Sequence, residues 1–345
     1  MSASIRVFLT HNPEDLEAYY GRALPELRAI AEVVVNPRDR DLTTAELIDA
    51  AAGCDVIAAH RATPGDAALF AARPELIAFL RCAVDISTVD VVAASRAGVL
   101  VGHADKSFVA STAELALALM FDLARSVSES TIDYRRDGHA PQRPGRQLRG
   151  RTAGIIGYGA IGAYLAELLR GIGMHVLVTD PVVDARADGF EQLSLGELLA
   201  RAEFVLPLAT ATPATHHLID AAVLATMRPG ALLINVSRGE LLDDDAVAAA
   251  LDSGRLGGLA MDVGNAPDQR PAPALARRPG VVATPHLGGL TPENADAQAR
   301  SSVEQVEALL RGHVPPRAIN AEHATRLHRW LAEHPKTHNA QPENS

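Results

Sequence analysis

Two cysteines, Cys54 and Cys82, are all that the 345 residues contain. That is too few for a disulfide framework or a zinc cluster, and it is the usage expected of a reducing compartment. Long hydrophobic runs are also missing. No apolar stretch reaches bilayer-spanning length, and the opening Met1 to Arg6 lacks the basic start and long apolar core of a secretory signal. Positive charge is in short supply: 32 Lys and Arg stand against 42 Asp and Glu, a formal net charge of −10. Nucleic acid and anionic membranes are therefore not expected as main partners, whereas a small anion needs only a local cation. Aromatic residues make up only 4% of the chain. The expected location is the cytoplasm.

What is present is an ordinary globular composition, 48% hydrophobic and 21% charged, at a length that suits two domains. Short apolar runs alternate with helical segments. Ile5 to Thr10, Ala31 to Val35, Val56 to Ala59, Ile77 to Leu80 and Val99 to Val101 read as one set of strands. A second set starts at Thr152 and continues through Met174 to Thr179, Phe204 to Leu208, Ala231 to Asn235, Gly258 to Met261 and Val281 to Thr284. Alternation of this kind predicts an α/β chain with two doubly wound parallel sheets. Ser111 to Val127 reads as a linker helix between them, and Arg135 to Arg149, rich in Arg, Gly and Pro, as a loop. After Thr291 a helix runs to about Arg311, stopped by Gly312, Pro315 and Pro316, and the chain returns to its first domain. The expected division is 1–108 with 291–322, then 109–290, with 323–345 as a polar tail. Histidines scattered in that tail fit no common zinc spacing, and no metal site is expected.

Between the first two strands of the second set lies Gly157-Tyr-Gly159-Ala160-Ile161-Gly162. This joins a strand to a helix through three glycines: one for the tight turn, one for close approach of a pyrophosphate, one for packing the new helix on the sheet. The helix start then offers N–H groups and a positive dipole end to the phosphates. Asp180, 18 residues after Gly162, ends the next strand. A carboxylate there accepts from an adenosine ribose and repels a 2′-phosphate, which favours NAD over NADP.

Three further groups sit at strand carboxyl ends, where doubly wound sheets bind ligands. Arg238, between Ser237 and Gly239, is placed either to fork onto a carboxylate or carbonyl, or to neutralise the acidic run Asp243 to Asp245. Asp262 is placed to meet the nicotinamide end of a dinucleotide or to cap a turn. His286 follows Thr284-Pro285, where the residue before proline is held extended, and precedes Gly288-Gly289, which permits a sharp reversal. A histidine projected in this way is suited to give and take a proton near neutral pH.

Taken together, Gly157-x-Gly159-x-x-Gly162, Asp180, Asn235-x-Ser237-Arg238-Gly239, Asp262-Val263 and Thr284-Pro285-His286 resemble the D-isomer-specific 2-hydroxyacid dehydrogenase family, in its phosphoglycerate dehydrogenase-like form, from about Val99 to Asn320. The resemblance implies a Rossmann NAD-binding domain inserted into a discontinuous flavodoxin-like substrate domain, with a cleft between them and a homodimer formed through the NAD-binding domains. It gives Arg238 substrate binding and carbonyl polarisation, His286 the general acid/base role, and Asp262 the nicotinamide carboxamide. Ala160, Ile161, Thr212 and Ser237 join the expected cofactor-binding set. The substrate implied is a small 2-oxo or 2-hydroxy acid.

Two departures from the family pattern stand out. Five residues after the strand-end Asp, where the family places a Glu or sometimes Gln that pairs with the histidine, this chain has Pro267. Asp268 and Gln269 are the replacement candidates. In the first domain, Leu80 to Asp90 stands where the family holds the substrate carboxylate on a glycine-rich turn. An ungapped match puts Ala83 and Asp85 at the two glycines, and Arg81 where phosphoglycerate dehydrogenases contact the substrate phosphate. A gapped match instead makes Asp85 the family acid. Arg81, Cys82 and Ala83 are the substrate-binding candidates. The regulatory domain of longer phosphoglycerate dehydrogenases is not expected after the returning helix. Dehydrogenases of formate or phosphite, and NAD-sensing corepressors that keep the fold, are the alternatives.

Overall fold

The computed structural model describes residues 5–266 and 268–334. The chain divides into two compact units, one formed by residues up to Ser107 with those from Pro292 on, the other by Phe108–Thr291. Each is built on a fully parallel sheet.

In the first unit, β1 (Arg6–Leu9), β2 (Glu32–Val35), β3 (Val56–Ala59), β4 (Ala78–Arg81) and β5 (Leu100–Gly102) lie in the order β2-β1-β3-β4-β5. Such strands are covered on both faces and therefore read as continuous apolar runs. Their side chains alternate between two cores. Phe8, Ile57 and Phe79 meet Leu47, Leu69 and Phe70 on one face. Val7, Leu9, Ala58 and Leu80 meet Leu27 and, from the far end of the chain, Val303, Val306 and Leu309 on the other. The last three belong to the helix Pro292–Leu310. The connections from β1 and from β3 leave in opposite directions along the sheet, so a crevice opens between their carboxyl ends.

In the second unit, β6 (Thr152–Ile156), β7 (His175–Thr179), β8 (Glu191–Gln192), β9 (Phe204–Pro207), β10 (Ala231–Asn235), β11 (Leu256–Met261) and β12 (Val281–Ala283) are ordered β12-β11-β10-β9-β6-β7-β8. The order reverses at β6/β9, the dinucleotide-binding arrangement. Ile155, Leu232 and Ile234 pack on Leu119, Met120, Leu165 and Leu169, while Ile156, Val205 and Leu233 pack on Leu198, Leu224 and Val247.

Three segments differ from the expectation. The polar tail proposed from His323 is instead a helix, Thr325–Glu333, whose Leu327 is buried and whose Trp330 and Leu331 pack against the same core, residues spaced along one helix face. Residues 335–345 of that tail lie outside the described residues. The loop assigned to Arg135 to Arg149 starts late, because a second helix, Val127–Asp137, follows the first after a left-handed Ser126. Buried Asp133 of this helix pairs with Arg136 one turn on at 2.7 Å and pins the remaining loop through Arg143 at 2.6 Å. The helix read as a linker is Val109–Arg125, and its Ala113, Ala116, Leu119, Met120 and Ala124 enter the core of the second unit.

Candidate active site

The glycine-rich turn leaves β6 at Gly157 with φ 104°. A Cβ there would stand 2.7 Å from the Ala209 nitrogen, and one on Gly162 would stand 2.3 Å from the Gly157 oxygen. The first glycine therefore lets the turn pass over the end of β9, and the second lets the helix pack against the turn. A Cβ on Gly159 would meet nothing within 4 Å, so the middle glycine faces open space. The helix Ala160–Gly171 starts there with no side-chain cap. The N–H groups at Ala160 and Ile161 are of the kind that hold phosphate. The cradle and its uncapped helix start fit a dinucleotide pyrophosphate.

Asp180, one residue past the end of β7, accepts from Tyr158 N at 2.7 Å and from Val182 and Val183 N at 2.8 Å each. Burial pushes its carboxyl up, but the N–H donors of Val183, Tyr158 and Val182 outweigh this and hold it below the usual Asp value. An ionised carboxylate has about four acceptor positions, and three of those on Asp180 are used by these N–H groups. The Thr212 N–H donates to Thr215 Oγ1 at 2.8 Å within the loop after β9. Ser237 Oγ donates to the Ala209 carbonyl at 3.0 Å, tying that loop to the end of β10.

Three neighbouring strands end level. Asn235 of β10 pairs in register with Met261 of β11, and Met261 with Ala283 of β12. Arg238, Asp262 and His286 follow within three residues of these ends. Asn235 is fully buried. Its Nδ2 donates to the Arg238 carbonyl at 2.8 Å and its Oδ1 accepts from Ser237 N at 3.0 Å, which shapes the turn that presents Arg238. The Arg238 side chain itself is exposed. His286 is half-buried and held at φ 65°, a left-handed conformation that a non-glycine residue keeps only where its surroundings impose it.

Asp262 imposes it. Its Oδ1 accepts from Thr284 Oγ1 at 2.6 Å and from Leu287 N at 2.7 Å, and its Oδ2 from Gly288 N at 2.8 Å. The Gly288 carbonyl in turn accepts from Thr112 Oγ1 at 3.1 Å. The carboxylate is 0% exposed and clamps the His286 loop.

In the first unit, Arg81 is also fully buried. Its guanidinium donates to the carbonyls of His60 and Thr63, the latter at 2.8 Å, and to the Thr88 hydroxyl. Burial holds it down at about 10. Arg81 braces the loop after β3. Burial pushes the neighbouring Cys82 thiol up to about 12, so it remains protonated. The Ala83 carbonyl accepts from Ala104 N at 3.1 Å.

The model of the D-isomer specific 2-hydroxyacid dehydrogenase NAD binding domain matches residues 117–288, within the second unit. D-3-phosphoglycerate dehydrogenase from Mycobacterium leprae is 37% identical over 80% of this chain and 53% of its own length. Glyoxylate reductase from Korarchaeum cryptofilum is 32% identical over 80% of this chain and 86% of its own. The crystal structure of the TT0316 protein from Thermus thermophilus, 31% identical, superposes with a TM-score of 0.80 over 91% of this chain and 100% of that one. The chain belongs to the D-isomer specific 2-hydroxyacid dehydrogenase family. Phe108–Thr291 is the NAD-binding unit of that family, and NAD is the cofactor. The chain spans about half the length of the D-3-phosphoglycerate dehydrogenases it matches, 53% in the M. leprae case.

The loop after β11 holds the candidates for a partner of His286. Pro267, at the position of the usual Glu, lies outside the described residues. Asp268 is exposed, accepts from Arg270 N at 3.1 Å and pairs with its guanidinium at 3.5 Å. Gln269, at φ 61°, uses its N–H on the Ala266 carbonyl at 2.8 Å and its carbonyl on Gly264 N at 3.0 Å. A tight turn closed by Gly264 holds both side chains at exposed positions. What residue reading misses is the clamp. Thr284, Thr112 and Asn235 support the site residues without the charge or glycine that draws notice, although a polar Asn at the end of an apolar strand is a usable signal.

Proposed function

We propose that the protein is an NAD-dependent dehydrogenase that interconverts a small 2-oxo acid and the corresponding D-2-hydroxy acid. The observation that carries this is the level ending of β10, β11 and β12, which sets Arg238, the Asp262 clamp and His286 side by side on the sheet that bears the glycine-rich turn. Gly157, Gly159, Gly162 and Asp180 hold the dinucleotide, with Ala160, Ile161, Thr212 and Ser237 lining it. When bound, the nicotinamide supplies or takes up the hydride at C2 of the substrate.

The roles of the protein groups follow from their chemistry. Arg238, always charged, forks onto the substrate carboxylate and carbonyl oxygen and stabilises the negative charge that develops there during reduction. His286 gives a proton to that oxygen, and in the reverse direction removes it from the hydroxyl. Asp262 keeps the histidine's backbone in place and transfers no proton. The substrate class follows the family's named relatives, glyoxylate reductase among them. Arg81 is not assigned to substrate. The reading includes a homodimer formed through the NAD-binding unit, supported by the exposed Val127, Ile132 and Tyr134 of its Val127–Asp137 helix, and a cytoplasmic location.

The test is loss of NADH absorbance with glyoxylate, hydroxypyruvate, 3-phosphohydroxypyruvate, pyruvate and branched analogues, with NADPH as control and dinucleotide binding measured separately by fluorescence. Turnover that disappears in His286→Ala while NADH binding persists is the expected result. Tight NADH binding with no turnover of any 2-oxo acid would overturn the proposal and favour an NAD-sensing protein.

A further inference from the structure

The crevice between β1 and β3 of the first unit is walled by histidines. His11 follows β1 by two residues and His60 follows β3 directly. Their ring centroids lie 5.1 Å apart. A π-helical turn, Leu16–Tyr20, closes over them, with Tyr19 stacked on His60 at 5.9 Å and Tyr20 5.2 Å from His11. π-helical turns are rare and recur at functional positions.

Two carboxylates complete the group. Asp15, Asp41 and His60 each offer one ligand atom, and these atoms all lie within 4.8 Å of one another. Asp15 Oδ2 is oriented by Asn12 Nδ2 at 2.7 Å and stands 3.7 Å from His60 Nδ1. That is too long for a hydrogen bond. It is close to the separation of about 3.5 Å that two atoms adopt when each sits about 2.1 Å from one tetrahedral ion.

The buried nitrogens point the same way. His60 Nδ1 and His11 Nδ1 have no hydrogen-bond partner among the described residues, and His11 is 1% exposed. Buried ring nitrogens are normally satisfied.

We propose that Asp15, Asp41 and His60 bind one first-row divalent cation of the zinc type, with His11 as the buried imidazole beside it. The nitrogen and carboxylate donor set suits zinc or cobalt better than the all-oxygen sites of calcium or magnesium. Two carboxylates exclude an anionic ligand. Asn12 serves the site as an outer partner that fixes Asp15, in the way such partners orient metal ligands generally. The site is independent of the dehydrogenase reading, since its residues all lie in the first unit.

The experiment is a titration of the full-length protein with Co²⁺, read by visible absorbance, followed by displacement with Zn²⁺. One saturating equivalent per chain is expected, with binding at least about tenfold weaker in His60→Ala and in Asp15→Asn. Asp41→Asn, at an exposed position, must weaken it as well, and this variant keeps the test valid should His60→Ala fail to fold. The stacked His216 and His217 pair, 3.9 Å apart, is the competing surface site. Binding that survives all three variants, binding abolished by His216→Ala alone, or no saturable binding at all would overturn the proposal.

Discussion

Asp262 accepts the backbone N–H of Leu287 at 2.7 Å, so the residue that follows β11 fixes the peptide directly after His286. A second donor, Gly288 N, reaches the other oxygen at 2.8 Å. Replacing the carboxylate by an amide turns one of these acceptors into a donor facing an N–H or a hydroxyl. Asp262→Asn is expected to lower stability by about 1–3 kcal/mol, measured by urea denaturation. Under the proposed function it also lowers kcat about 10- to 100-fold with little change in KM, because a misplaced acid/base affects the reaction more than binding.

Gly157 and Gly159 should separate cleanly in experiment. Gly157 sits at φ 104° with the Ala209 backbone 2.7 Å from where a Cβ would be, whereas Gly159 has nothing within 4 Å. Gly157→Ala is expected to destabilise the protein by about 1–3 kcal/mol through backbone strain. Gly159→Ala should melt with the wild type and lose NADH affinity, since its methyl group occupies only the approach of the pyrophosphate. Thermal unfolding and NADH fluorescence, measured on both variants, check the pair.

Asp180 carries a pH prediction. Its carboxyl is held below the usual Asp value in the folded chain, and the unfolded value is about 3.9. A depressed folded value means the contribution to stability is fully present above the unfolded value and is lost as pH falls below it through the folded one. Wild type and Asp180→Asn should therefore differ in stability by a constant amount at pH values well above the unfolded value of about 3.9, and the difference should shrink as pH falls below it through the folded value. Urea titrations across that range check this. NADP turnover should rise relative to NAD in Asp180→Asn, because the repulsion of a 2′-phosphate is removed.

Arg81 separates a brace from a substrate contact. Arg81→Met removes the donors to the His60 and Thr63 carbonyls inside a fully buried site, and is expected to cost about 2–4 kcal/mol of stability. The ratio of kcat/KM for 3-phosphohydroxypyruvate to that for hydroxypyruvate should change less than about threefold. A large selective loss on the phosphorylated acid would return Arg81 to the substrate.

Much of this architecture is legible along the chain. Strands such as Val56–Ala59 and Ala231–Asn235 are buried on both faces, so they appear as short uninterrupted apolar runs. Glu191–Gln192 leaves no trace in the sequence, being a two-residue edge strand with no apolar signal. Thr325–Glu333 reads as tail because its polar residues outnumber the Leu327, Trp330 and Leu331 that make up its packed face. Arg238 and His286 stand out because proline and glycine around them constrain the backbone locally.

The sequence by itself determined the two parallel sheets, the glycine-rich turn and the strand ends that carry Arg238, Asp262 and His286, because these follow from apolar periodicity and local backbone limits. Only the tertiary structure decided what the buried polar groups do. Asp262 faces a loop that begins 22 residues later, Arg81 reaches back across β3 to the loop at 60–63, and His11 meets His60 only because β1 and β3 are adjacent. A charged side chain looks the same in a sequence whether it meets solvent, substrate or backbone; its partner is chosen by the order in which strands assemble, and that order is not a local property.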